Sequence, residues 1–255
     1  MPPQILLEVK NINAGYGKKH VLYDVSFAVE RGDIVLLIGS NGSGKSTLLK
    51  AIYGLLPLWR SNGAAENSSG SAAGDGGSVR FDGENINGLP ASKLLKKGLL
   101  YIPQQNNLFA DLTVKENLEM AGLTIDSRPP LLHERIERAL TVFPALIPHL
   151  KRIPMKLSGG ERQLLTLAMA ILHQPKMILI DEPFNGLSPQ NIAFVRENLK
   201  MLNKKEGISF LIVEHRIKES YILAQKIISL KLGKVYRTED VNLDFDAQEL
   251  REVFV

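Results

Sequence analysis

Apolar and polar residues alternate over Ile5 to Ile12 and again over Val25 to Val29, a period of two that predicts half-buried antiparallel strands in a small β layer. The alternation stops at Ile34 to Ile38. This continuous apolar run, bounded by Gly32-Asp33 and Gly39, predicts a strand covered on both faces, and the apolar positions after Thr47 predict a helix. Met177 to Ile180 and Phe210 to Val213 are further buried strands, and Ile227 to Leu230 followed by Gly233-Lys234 reads as a strand entering a terminal hairpin. Between these strands the pattern changes. From Thr113 to about Leu150 it is helical, with Ile136, Leu140 and Phe143 on one face and Pro129, Pro130, Pro144 and Pro148 marking breaks. Residues 61–78 are almost entirely Gly, Ser, Ala and Asn, too poor in apolar groups to offset the entropy of ordering, and are expected to form a mobile surface loop. Val79 to Phe81 resumes as a strand, and Asp82-Gly83 suits a tight turn.

Composition narrows the class. A chain of 255 residues with 44% apolar content can bury a substantial core as one large domain, and no internal repeat is visible. The formal charge of +4 arises from 31 basic against 27 acidic residues, a mixed surface that does not call for nucleic acid as a partner. No run approaches the roughly 18 apolar residues of a membrane span, and the first residues, with Glu8 and Lys10 in a strand-like pattern, lack a signal-peptide core, so a cytoplasmic location is expected. With no cysteine, disulfides, thiolate metal sites and cysteine nucleophiles are excluded.

The chemistry concentrates in three segments. Gly39-Ser40-Asn41-Gly42-Ser43-Gly44-Lys45-Ser46 satisfies the phosphate-loop pattern, and it stands where that pattern works, between a buried strand and a helix. Glycines let backbone N–H groups turn toward phosphate oxygens, the following helix points its positive end at them, Lys45 neutralises β/γ charge, and Ser46 offers a hydroxyl to Mg²⁺. Asp181-Glu182 ends a buried strand, at the sheet edge where open α/β folds bind ligands. Asp181 can hold the metal directly or through water, leaving Glu182 to polarise the attacking water. Leu157-Ser158-Gly159-Gly160-Glu161-Arg162-Gln163 precedes the apolar helical segment Leu164 to Leu172; in isolation such a turn is as often a helix cap as a ligand site.

Placed between the phosphate loop and the Asp-Glu pair, this third segment resembles the signature motif of ABC ATPases, and the resemblance spans nearly the whole chain. It implies an α/β fold: a phosphate-loop NTPase core with a mostly parallel sheet, an N-terminal antiparallel β subdomain and an inserted α-helical subdomain. The expected division is residues 1–104 and 165–255 for core plus β subdomain and 105–164 for the helical subdomain with the signature, in one cassette. It further implies ATP and Mg²⁺ as cofactors, with Gly39 to Thr47 cradling the phosphates and Ser158, Gly159 and Gly160 binding the γ-phosphate held by a second ABC ATPase subunit, identical or different. Tyr16 matches the aromatic on which adenine stacks. Gln104 in Tyr101-Ile102-Pro103-Gln104 matches the glutamine that touches Mg²⁺ and water, with Gln105 one residue away as the alternative. His215 matches the switch histidine that contacts the γ-phosphate.

Transmembrane permease subunits are implied partners, with a substrate-binding protein if transport is inward, and they would hold the chain on the cytoplasmic face of the membrane. At the position of the usual aspartate after the Asp-Glu pair this chain has Ser188, which questions Asp-mediated communication between subunits. Phe184-Asn185-Gly186-Leu187-Ser188-Pro189 and the brief tail from Asp246 to Val255, with no room for a regulatory domain, are similar to the subgroup serving branched-chain amino-acid uptake. A single-cassette soluble ATPase of scaffold or cofactor assembly is the alternative, separable by co-purification with membrane subunits. A nucleotide-gated module without turnover is disfavoured because Lys45, Asp181, Glu182 and His215 are all present.

Overall fold

The computed structural model describes residues 4–59, 77–105, 107–123 and 129–241. Along the chain, β1 (Ile5–Tyr16) and β2 (Lys19–Glu30) form a hairpin, β3 (Ile34–Ile38) leads into α1 (Lys45–Ile52), β4 (Ser78–Phe81) turns back as β5 (Glu84–Asn85), and α2 (Ala91–Lys97) precedes β6 (Leu99–Ile102). Then come α3 (Val114–Gly122), α4 (Pro129–Val142), a 3-10 turn over Pro144–His149, α5 (Gly159–Ile171), β7 (Met177–Asp181), α6 (Pro189–Glu206), β8 (Ser209–Val213), α7 (Ile217–Ser220), β9 (Lys226–Lys231) and β10 (Lys234–Asp240).

Two sheets result. The antiparallel one has the order β2-β1-β4-β5 and the larger one the order β10-β9-β3-β8-β7-β6, in which all neighbours except β10 and β9 run parallel. The continuous apolar runs explain the larger sheet. Every residue of β3, β7 and β8 is buried, and period-two geometry sends alternate side chains to two separate cores. Ile34, Leu36, Ile38, Ile178, Ile180, Phe210 and Ile212 join the core beneath α3, α4, α5 and α6. Val35, Leu37, Met177, Leu179, Leu211 and Val213 join the core shared with α1 and the antiparallel sheet. The helical pattern also behaves as expected: Ile136 and Phe143 are buried in the first core and Leu140 packs at its margin.

Asp82 and Gly83 both have positive φ (51° and 81°), the pairing of a tight two-residue hairpin turn. The loop expected over residues 61–78 ends sooner than the composition indicated. Ser78 already belongs to β4, opposite Lys10, and Asn87 accepts from the Val79 N–H and donates to the Gly77 carbonyl. Local hydrogen bonding and strand pairing outweigh the low apolar content there. The remainder of that loop, residues 61–76, and the tail 246–255 lie outside the described residues. Among the described residues no helix is long and apolar enough to cross a membrane.

Candidate nucleotide site

Because β3, β7 and β8 are parallel neighbours, their C-terminal ends deliver three loops to one edge of the sheet. The loop after β3 carries the phosphate-loop motif. Gly44 caps α1 in a left-handed conformation (φ 105°), and a Cβ at Gly39 would stand 2.2 Å from the Leu230 carbonyl oxygen and 2.6 Å from Ser43 Oγ. Only glycine fits such an approach. Lys45 folds back over the loop and donates to the Gly39 and Ser40 carbonyls at 2.8 and 3.0 Å. Burial pushes its pKa down, against the opposing pull of Glu182, Asp181 and Glu214. Ser43 Oγ is buried with no hydrogen-bond partner among the described residues, while Asn41 and Gly42 are exposed and Thr47 is buried. A cationic, donor-lined concavity at a helix start is suited to phosphate.

The loop after β7 brings the carboxylates. Asp181 Oδ1 accepts from Ser46 Oγ at 3.0 Å, and Tyr101 donates to Oδ2 at 3.5 Å. Burial raises the Asp181 pKa above its ordinary value; the Ser46 hydrogen bond opposes the rise and Glu182 adds to it. Glu182 adopts a left-handed conformation (φ 49°), uncommon for a residue with a side chain. Its carboxylate receives a hydrogen bond from Gln104 and lies 3.7 Å from His215 Nδ1, on the loop after β8. Of the two candidate glutamines, it is Gln104 that meets the Glu182 carboxylate. Tyr16, at the end of β1, is 45% exposed and available for stacking; it also contributes, after burial and Asp181, to raising the Tyr101 pKa.

The signature segment takes a different place. Ser158 caps α5 in a reciprocal box: its Oγ accepts from the Glu161 N–H at 3.2 Å and Glu161 accepts from the Ser158 N–H at 2.7 Å. His149 braces Glu161 at 2.9 Å. A Cβ at Gly159 would lie 2.6 Å from Leu187 Cδ2, and one at Gly160 2.9 Å from Asn191 Oδ1, so both glycines also serve close packing. Among the described residues, Ser158, Gly159 and Gly160 make no hydrogen bond to the phosphate loop. The chain thus brings together Lys45, Ser46, Gln104, Asp181, Glu182 and His215, and among the described residues no hydrogen bond joins Ser158, Gly159 or Gly160 to any of them.

Three contributors escaped the sequence reading. Tyr101 stands beside Asp181, Gln163 donates to the Pro183 carbonyl at 2.9 Å, and Glu214 is fully buried under the loops bearing Glu182 and His215. Of the bracing groups, Glu161 could have been found from the Ser-x-x-Glu spacing of a capping box; the others depend on which strands are neighbours. Ser188 caps α6, its Oγ accepting from the Asn191 N–H at 3.3 Å, a role an aspartate would fill equally. A separate cleft of about 230 Å³, lined by Arg135, Arg138, Gln174, Pro175, Glu206 and Ile208, lies at the other edge of the sheet, where β7 and β8 begin.

Comparison with known proteins agrees with this geometry. Residues 22–185 match the ABC transporter family. The chain is 35% identical over 230 residues to a probable branched-chain amino acid transport ATP-binding protein LivF of Archaeoglobus fulgidus, covering 90% of each. It is 30% identical over 253 residues to the lipopolysaccharide export system ATP-binding protein LptB of Haemophilus influenzae, covering 98% of this chain and 97% of that one. A nucleotide-free ATP-binding cassette from an ABC transporter superposes with a TM-score of 0.82 at 26% identity, covering 98% of this chain and 95% of that one. A cassette in a dimeric post-hydrolysis state bound to ADP and Pi gives 0.74 at 26% identity, covering 93% and 99%. With the phosphate loop, the carboxylate pair and the signature helix all formed, the chain belongs to the ABC transporter family, as an ATP-binding subunit that hydrolyses ATP.

Proposed function

We propose that this subunit hydrolyses ATP in a head-to-tail dimer of cassettes and drives the import of branched-chain or related amino acids through permease subunits. What carries the dimer reading is that Lys45, Glu182 and His215 converge while, among the described residues, no hydrogen bond or ion pair joins them to the capped start of α5. A second subunit, identical or homologous, then supplies Ser158, Gly159 and Gly160 to the γ-phosphate, and the similarity to a dimeric cassette supports this arrangement.

Within one such site Lys45 exchanges its carbonyl partners for β/γ oxygens, and the Ser43 hydroxyl gains the partner it lacks. Tyr16 stacks on adenine. Ser46, Asp181 and Gln104 present hydroxyl, carboxylate and amide oxygens, the hard donors that suit Mg²⁺. The ion supplies charge neutralisation at the phosphates. Glu182 orients water for in-line attack on the γ-phosphorus, while Lys45, His215 and the opposing Ser158 stabilise charge spread over the phosphoryl oxygens. Gln104 ties Glu182 to the strand edge that leads into the α3–α4 region, a physical route toward the permease. The division into residues 1–104 plus 165–255 and 105–164 is the working frame for that motion, although α5 crosses its second boundary as one continuous helix.

The similarity to LivF supports amino-acid import, and that to LptB marks lipopolysaccharide export as the competing cargo. Vesicles holding the permease subunits and a substrate-binding protein, with ATP on the side of this subunit, decide between them. Accumulation of leucine, isoleucine or valine, absent with Glu182→Gln, is expected. ATP-dependent release of a lipid-linked glycan without amino-acid uptake contradicts the substrate reading.

A further inference from the structure

Among the described residues, Glu214 is the one carboxylate around the site for which hydrolysis finds no direct use, and it is also the most deeply buried of them. It is 0% exposed, directly after β8 and before His215. One oxygen accepts from the Phe184 N–H at 2.8 Å; the other accepts from the His215 N–H at 3.1 Å and faces the Arg216 N–H at 3.4 Å. Phe184 lies two residues beyond Glu182, so a single side chain links the loop that carries the base to the loop that carries the switch histidine. The backbone continues the connection, with the Glu182 N–H donating to the Val213 carbonyl at 2.9 Å. Arg216 also approaches the Leu187 carbonyl at 3.4 Å, and Gln163 of the signature helix holds the Pro183 carbonyl from the other side.

A buried carboxylate is costly to desolvate and is retained where its acceptors are saturated by donors. Here the donors are backbone amides of two catalytic loops. Neither burial nor capping of a helix requires that choice, because α7 begins with no side-chain cap.

We propose that Glu214 is a positioning residue for ATP hydrolysis, clamping the Glu182 loop and the His215 loop into one unit that moves together when the nucleotide γ-phosphate engages His215. The inference rests on the roles given above to Glu182 and His215. Glutamine at this position keeps the shape but turns an NH₂ donor toward one of the two sets of N–H donors, so one half of the clamp opens.

The test compares Glu214→Gln, Glu182→Gln, His215→Ala and the Glu214→Gln/His215→Ala pair in the full chain, reading kcat, KM for ATP and the melting temperature. The expected result is that Glu214→Gln lowers kcat by about 10- to 100-fold, on the scale of a mispositioned catalytic group, with KM changed less than about twofold. In the double variant the two losses should not multiply, since both act through one loop. A folded Glu214→Gln protein with wild-type kcat, or losses that multiply, overturns the clamp. If Glu214→Gln does not fold, Glu214→Asp, which keeps the charge but shortens the reach, is read by the same criteria. Near-normal turnover by Glu182→Gln instead overturns the hydrolytic roles beneath the proposal, while a dead Glu182→Gln beside a normal Glu214→Gln removes the clamp alone.

Discussion

Glu182 and Lys45 show opposite ways of preparing a side chain for work. A left-handed backbone at a residue with a side chain costs on the order of 1–3 kcal/mol and persists where the surroundings hold it. At Glu182 those surroundings are the Val213 carbonyl, Gln104 and His215, which together aim the carboxylate over the end of the sheet. Lys45 carries no backbone strain but a buried charge whose partners are neutral carbonyls, with three carboxylates acting from further off. Phosphate is a better partner than a carbonyl, because charge-assisted hydrogen bonds contribute about 1.5–3 kcal/mol. Lys45→Ala should therefore weaken ATP binding by at least about tenfold while leaving the melting temperature of the nucleotide-free protein near that of the wild type. Titration with a fluorescent ATP analogue checks this; unchanged affinity would place the phosphates elsewhere.

The helix that starts at the signature segment is α5, and it is held at both ends. The Ser158–Glu161 capping box and His149 secure its start. At its far end Arg135 of α4 donates to the Leu172 carbonyl at 2.7 Å, a cation placed where the helix dipole is negative. Beside it His173 is partly buried, and its pKa is lowered by burial first and by the Arg135 charge second, with a hydrogen bond to the Ala121 backbone opposing. The sign of the consequence is fixed by linkage. The unfolded chain takes up a proton at this position near pH 6.5 and the folded chain only at lower pH, so His173 contributes stability that is fully present above about pH 6.5 and is lost as pH falls through the folded value. Between about pH 7.5 and about pH 5.5 the wild type should lose more denaturation midpoint than His173→Gln. Equal losses in urea titrations of the two proteins would remove His173 from the account. That sensitivity sits where α5 meets α4, so acid should loosen the grip of the helical region on the signature helix before it disturbs the sheet.

At the scale of the molecule, the parallel sheet explains what could be seen in the sequence and what could not. Ile34 to Ile38, Met177 to Ile180 and Phe210 to Val213 announced themselves as strands buried on both faces, and the motifs at their ends announced the phosphate loop and the carboxylate pair. Gln104, His215 and Tyr16 were given roles only through family resemblance, since a single glutamine, histidine or tyrosine has no spacing signal. Glu214 had no signal at all: its bond to Phe184 joins residues 30 apart and exists because Asp181 pairs with Val213 in adjacent strands. The end of the 61–78 loop was misplaced for a related reason, because Gly77 and Ser78 are ordered by Asn87 and Lys10, partners that local composition does not reveal.

The account as a whole stands on Glu182 acting as the base of a site that two subunits close. Mg²⁺-dependent ATP hydrolysis by wild type and Glu182→Gln, with size-exclusion chromatography of each in ATP, tests it directly. The expected result is turnover by the wild type, a loss of roughly 10²- to 10⁴-fold in Glu182→Gln, and elution of the variant as an ATP-trapped dimer. Near-normal hydrolysis by a Glu182→Gln protein that stays monomeric in ATP would contradict it.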